Sequence, residues 1–275
     1  MGVSLALLVA VALQLRDLDF AKVRDMVPSS PIFWIAFAAY YLSGPVSEWV
    51  VYRHLWAMPV AGIGALLRKL VANELLLGYL GEAQFYAWAK ARTRLSEAPF
   101  GAIKDMTILS ALVGNGATLV MLAFAWPYVS AGQLGGEGPT AFASLGVVLL
   151  TSLGILLFLR QLFTLPRSDL WFISAAHLAR IVVILIASAV MWHAVLPAVA
   201  ITLWLVLATL RMLLSRLPFL PNKDIIFAGV TVLLLGKSAD VAALMAMMAV
   251  LLLVAHLMIG TIFGLTGLFD AEKMK

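Results

Sequence analysis

The 275-residue sequence predicts an all-α fold: a polytopic transmembrane helical bundle of about six full spans plus two re-entrant helical hairpins, arranged as a candidate inverted repeat. Three observations lead there. Hydrophobic residues make up 63% of the chain and charged residues only 12%, with a mean hydropathy of +1.03. A soluble domain carries about twice that charge fraction. Several apolar runs are long enough to cross a bilayer, which takes ~20 residues each. Ionisable side chains are stranded inside those runs. Arg180 lies midway along 170–191, a stretch otherwise apolar but for Ser174, His177 and Ser188. A guanidinium at that depth costs at least ~2.5–3.5 kcal/mol to insert, so it faces a bundle interior or a watery cavity.

The same composition favours one integral membrane domain, 1–275, with little left for a soluble one. The net charge of +5 reads as positive-inside bias and attraction to anionic lipid, not as a nucleic-acid footprint. There is no cysteine for disulfide or thiol chemistry, and the four histidines lack metal-ligand spacing. No metal or cofactor is expected.

Hydrophobic runs place helices at about 2–15, 31–53, 60–79, 82–94, 103–128, 141–159, 170–192, 198–217, 224–236 and 240–268. The first has no basic residues before it and no small-x-small pattern before Arg16 and Asp17. It reads as a retained helix rather than a removed signal peptide. Ser43-Gly44-Pro45 marks a kink in the second. The runs 82–94 and 224–236 are too short to span a ~30 Å hydrocarbon core, and 82–94 also carries Glu82, Gln84, Lys90, Arg92 and Arg94. Both read as half-helices returning from re-entrant hairpins, 60–94 and 198–236. Such backbone survives at membrane depth only under protein or around a cavity.

Sliding the chain along itself until Lys69 meets Arg211 also superposes Glu82 on Asp224 and Ser96 on Ser238, and aligns helices of similar length. That register defines candidate repeats 31–128 and 170–268. Lys90, Arg92, Arg94 and Lys104, with Arg160 and Arg167, mark cytoplasmic loops, whereas 129–140 and 193–197 carry no Lys or Arg. Both termini then fall in the cytoplasm and the two hairpins open to opposite sides. Arg16, Lys22 and Arg24 fall outside, accompanied by Asp17, Asp19 and Asp25. Inverted repeats whose broken helices meet near the midplane are a transporter architecture. Trp34, Trp49, Trp56, Trp126, Trp171 and Trp192 sit near helix ends, as an interfacial belt does.

The candidate ligand-binding residues are Arg180, His177, Lys69, Arg68, Glu82, Glu48, Glu74 and Arg211. Arg68, Lys69 and Asn73 share a helix face by their spacing, and Gly78 and Gly81 permit a tight hairpin tip. Glu82 then opens the returning half-helix, where the positive helix end favours a carboxylate. These side chains suit a pocket for a phosphate-bearing headgroup; equally, Arg68 and Lys69 suit an interfacial helix whose charges snorkel to water. His177 lies one turn before Arg180, and the two could bind phosphate through a titratable donor and a planar fork. Alternatively, Glu48 or Glu74 neutralises a buried Arg180. Glu48 is only about a turn from Arg53 and can sit near the interface. Arg211, with Arg216 and Lys223, fits either a site or an ordinary basic loop around Pro218 and Pro221. Gly114-Asn115-Gly116 and His256 read as helix packing. No nucleophile elbow, phosphate loop or zinc-protease motif is present, so no catalytic residue and no enzymatic activity are expected.

The order of these pieces resembles the lysylphosphatidylglycerol synthase transmembrane-region family, the flippase-like membrane proteins. The resemblance runs from Arg16–Phe20 to about Gly267. Its marks are Asn73 followed by Leu80-Gly81-Glu82, then Leu95-Ser96, and later Leu220-Pro221, Gly236 and Ala242-Ala243. It implies an inner-membrane fold that moves lipids between leaflets of the bacterial inner (cytoplasmic) membrane. The chain departs from the family pattern at Gln84-Phe85, where an arginine is usual, and at Pro221-Asn222-Lys223-Asp224, where a glycine-rich stretch is usual. No soluble aminoacyl-transfer domain is expected within residues 1–275, so no lysyl transfer is implied. The expected function is translocation of an anionic phospholipid or lipid-linked headgroup. The alternative is a non-transporting accessory or scaffold subunit of a lipid or glycan enzyme. The expected partner is membrane lipid through an anionic headgroup, not nucleic acid; a second copy of the chain or a membrane enzyme are the protein partners left open.

Overall fold

The structure, a computed structural model, describes residues 27–75, 80–92, 100–130, 150, 163–215 and 239–272. These residues form seven helices and no strand: α1 (Pro31–Trp56), α2 (Gly62–Leu75), α3 (Leu80–Arg92), α4 (Phe100–Ser130), α5 (Arg167–Val195), α6 (Ile201–Ser215) and α7 (Ala239–Glu272). Each overlaps one of the apolar runs read from the sequence. The helices expected at 2–15, 224–236 and, Leu150 apart, 141–159 lie outside the described residues, as do Arg216, Lys223 and Asp224.

Two of the described helices are long and apolar enough to cross a membrane, α5 and the stretch Ala243–Ile262 within α7. That is fewer than the six full spans expected. Neither is mostly buried, as the core helix of a soluble protein is. Only 22% of the apolar window of α5 and 33% of that of α7 is buried. Trp171 and Ile186 on α5 face outward at 78% and 60% exposure, whereas His177 and Ser188 on the same helix are buried. On α5, large apolar side chains left outside while a histidine and a serine are buried suit a lipid surround.

Local chemistry explains the helix ends. α1 starts on Pro31, whose missing N–H is no loss at a first helical position. It runs through Pro45, so the Tyr41 carbonyl lacks its usual helical donor. It stops at Ala57, which takes the left-handed conformation (φ 51°) and donates its N–H to the Arg53 carbonyl at 2.9 Å. α5 starts after Pro166 and ends one residue before Leu196-Pro197, where the proline disfavours further helix. α4 is anchored near its start by Asp105, which is fully buried. The Asp105 carboxylate accepts hydrogen bonds from the Thr164 and Leu165 backbone N–H groups at 2.7 and 2.8 Å and from the Thr164 hydroxyl at 2.9 Å.

α1 and α5 form the central pair and run antiparallel. Phe33 and Ala36, at the start of α1, share a core cluster with Ala187, Met191 and Trp192 at the end of α5. Val51 and Tyr52, at the end of α1, share another with Ile173 near the start of α5. Between these ends the Ser47 hydroxyl donates to the Ala176 carbonyl at 3.1 Å, and beyond the second cluster His54 meets Asp169 at 3.1 Å. The two clusters therefore mark opposite ends of the bundle. α2 begins in the second cluster through Ala65 and Leu66, and α3 returns to it through Phe85. α6 begins in the first cluster through Trp204, Leu207 and Ala208. α2 and α6 thus enter from opposite ends. α1 packs on α2 as α5 packs on α6, and α7 packs on α2 as α4 packs on α6. The register that carries Lys69 onto Arg211 also carries the buried Ala65, Leu66, Ile103 and Met106 of one cluster onto the buried Leu207, Ala208, Met245 and Met248 of the other.

Candidate functional site

Two adjoining polar sets occupy the middle of the bundle. The first is a buried ion cluster. Lys69, only 6% exposed, donates to both carboxylate oxygens of Glu48 at 2.9 and 2.8 Å and stands 3.4 Å from Glu82 Oε1. Its ammonium lies 5.9 Å from the centre of the Phe85 ring. Asn73 ties the hairpin: its amide N–H donates to Glu82 Oε1 at 3.2 Å, and its Oδ1 accepts from the Gly81 N–H at 2.8 Å. Asn73 thereby serves the first turn of α3, where Glu82 also lies near the positive helix end. Gly81 must be glycine here. A Cβ at that position would sit 2.2 Å from the Lys69 carbonyl oxygen and 2.6 Å from Asn73 Oδ1.

The second set lines a cavity of about 290 Å³. Tyr40, Tyr41, Ser43 and Gly44 come from the stretch of α1 just before Pro45. Arg180, Ile181, Ile184, Leu185 and Ser188 come from the middle of α5. Leu70 and Glu74 close it from α2, Ala208, Arg211 and Met212 from α6, and Leu252 and His256 from α7. The C-terminal halves of two helices that enter from opposite ends thus meet at one chamber. Arg180 donates from Nη2 to the Ser110 hydroxyl on α4 at 2.9 Å, while its buried Nε has no hydrogen-bond partner among the described residues. Arg211 lies 4.9 Å from the centre of the Tyr40 ring, within cation–π range. The Tyr41 hydroxyl and His256 Nδ1 are 3.0 Å apart, and Glu74 lies within electrostatic reach of that hydroxyl. Glu48 is within electrostatic reach of Arg180, so one carboxylate links the two sets.

The eight sequence-nominated residues are therefore sorted by the structure into two groups and two outliers. Lys69, Glu48 and Glu82 form the ion cluster; Arg180, Glu74 and Arg211 line the cavity. His177, 1% exposed, is buried but does not line the cavity, although it shares a helix face with Arg180. Arg68 is half-buried and outside both sets. Glu48 sits on Lys69 inside the bundle rather than near the interface. Sequence reasoning passes over Ser110, Tyr41 and His256. Serine and tyrosine in apolar helices carry no distinguishing spacing, and a lone histidine reads as packing. His256 finds its partner 215 residues away in the chain. No group of three metal-ligating side chains occurs among the described residues.

Comparison with protein-family models, with curated proteins and with solved structures returns no significant match for the chain.

Proposed function

We propose that this chain translocates a lipid with a phosphate-bearing headgroup between the leaflets of a cytoplasmic membrane. The headgroup occupies the central cavity while the acyl chains stay in lipid. The observation that carries this reading is Arg180, held at mid-length of an outward-apolar helix and lining a chamber bounded by helices from both ends of the bundle. An arginine fork suits a phosphate oxygen pair, and the Arg180 side chain lines the cavity. Helices that enter from opposite ends and meet at one chamber suit the midplane site of a secondary transporter. The matched packing in the Lys69-on-Arg211 register supports an inverted repeat of 31–128 and 170–268 around that site. The flippase-like resemblance points to the same activity. In this reading Lys69, Glu48 and Glu82 hold the first hairpin at its working depth instead of touching the headgroup. An accessory subunit without transport would need no chamber, and Arg180 would be bonded to a carboxylate rather than to Ser110.

The test is leaflet exchange of tail-labelled phospholipid in liposomes carrying purified protein. Arg180→Ala is expected to abolish exchange with expression and monodispersity intact. Exchange at the unsubstituted rate removes Arg180 from the site and the reading with it.

A further inference from the structure

We infer that His256 is a proton-binding site that couples translocation to a proton: the cavity loads one proton together with each phosphate-bearing headgroup. This rests on the translocation reading above. His256 lies within the apolar stretch Ala243–Ile262 of α7 and lines the same chamber as Arg180. Ionisable side chains at such a depth, facing a cavity, are what membrane pumps and transporters use as proton relays. Imidazole is the side chain whose charge changes near neutral pH.

The geometry gives that proton a consequence for the headgroup. His256 Nδ1 and the Tyr41 hydroxyl are 3.0 Å apart, with ring centroids 5.2 Å apart. While Nδ1 is bare, the hydroxyl donates to it. A proton taken from water onto Nδ1 reverses the bond, because an imidazolium donates from both nitrogens and accepts at neither. The Tyr41 oxygen then accepts, and its O–H turns to another acceptor. Tyr41 also lines the chamber, so a headgroup phosphate oxygen is the acceptor a loaded site supplies. No bond of the lipid is made or broken, and the proton returns to water when the headgroup leaves.

The charges around the ring act in the same sense. α7 packs on α2, and its Leu252 shares a core cluster with Tyr41. The titratable and charged groups that share the chamber with His256 are Tyr40 and Tyr41 from α1, Glu74 from α2, Arg180 from α5 and Arg211 from α6. Glu74 attracts an imidazolium and the two guanidiniums repel it. A phosphate on Arg180 screens that repulsion, so the headgroup favours the proton. By linkage the proton favours the headgroup by the same factor.

The experiment uses the full chain in sealed liposomes with tail-labelled phosphatidylglycerol and a pH difference of about one unit, the membrane potential being clamped with potassium and valinomycin. Label is expected to accumulate in the leaflet away from the acid side. One proton per lipid drives that ratio toward about tenfold per pH unit, above the distribution in protein-free liposomes. His256→Gln, which gains no charge on acidification, is expected to abolish the accumulation. Exchange by the unsubstituted protein that ends at the protein-free distribution overturns the inference while translocation stands, as does accumulation that survives His256→Gln. Absence of any exchange by the unsubstituted protein overturns translocation instead. If either protein exchanges nothing, calorimetry with short-chain phosphatidylglycerol, in buffers of different ionisation enthalpy, decides the site. Uptake of up to one proton per lipid bound, lost in His256→Gln, supports it. No uptake, or uptake that the substitution leaves unchanged, overturns it. Should His256→Gln not fold, Tyr41→Phe takes its place in the calorimetry: reduced uptake supports the site and unchanged uptake overturns it.

Discussion

Replacing Lys69 by Met keeps a long unbranched side chain beside Phe85 and removes the cation that two largely buried carboxylates share. Glu48 and Glu82 then face each other across the space the ammonium filled, at contacts that were 2.8–2.9 and 3.4 Å. Breaking a buried pair by deleting one partner costs about 3–5 kcal/mol, because the remaining charge loses its compensation. The two glutamate side chains are 17% and 20% exposed, so some water reaches them and the lower end applies. A loss of about 3 kcal/mol is a factor of roughly 150 in the unfolding equilibrium at about 1.4 kcal/mol per decade. The assay is reversible unfolding in mixed micelles titrated with a denaturing detergent, followed by helical circular dichroism. Adding Glu48→Gln and Glu82→Gln to Lys69→Met removes the charges together and is expected to recover most of the loss. Were Lys69→Met to shift stability by less than about 1 kcal/mol, the cluster would not be holding the hairpin in place. Were the triple variant as unstable as the single one, the loss would come from packing rather than charge.

Three further outcomes follow from the same geometry. Gly81→Ala drives a methyl into the Lys69 carbonyl and Asn73 side chain, and is expected to cost about 1–3 kcal/mol in the same unfolding assay. A neutral result there would mean that α3 packs less closely on α2 at Gly81 than these distances state. Asp105→Ala orphans the Thr164 and Leu165 N–H groups and is expected to cost at least ~2 kcal/mol, with amide exchange at 164–165 rising before that of α5. Single cysteines at Pro59 and Ala91 are expected to label from the same side of a sealed membrane and one at Ala198 from the other; labelling of Pro59 and Ala91 from opposite sides excludes a re-entrant α2–α3 hairpin.

The helices are legible in the sequence because their cause is local. A run of apolar residues bounded by Pro166 and Pro197, or by Pro31 and the Ala57–Pro59 turn, states its own length. Arg180 and Lys69 are legible for a related reason, since a charge within an apolar run must be answered by something. What answers it is not legible. Arg180 could equally have met Glu48 or Glu74; it bonds to Ser110, 70 residues earlier, because α4 packs against α5 at that level. Arg180 and His177 share a face, yet the longer side chain reaches the cavity while the imidazole stays buried outside it. Glu48 reads as interfacial from its distance to Arg53, but the packing of α2 on α1 brings Lys69 to it. The Asp105 anchor joins elements 59 residues apart and leaves no pattern at all.

Two helices that approach one chamber from opposite ends also bear on membrane potential. In the translocation reading, water following each helix to its tip carries the adjoining bulk phase inward, so the voltage falls across a short septum around Arg180 rather than across the full hydrocarbon thickness. Moving one net charge across that septum gains or loses about 2.3 kcal/mol per 100 mV, a bias of nearly fiftyfold in leaflet distribution. A headgroup with no net charge, any coupled proton included, carries no such bias. The resting potential would then leave its distribution between leaflets untouched, and chemical gradients alone would set the direction of flow.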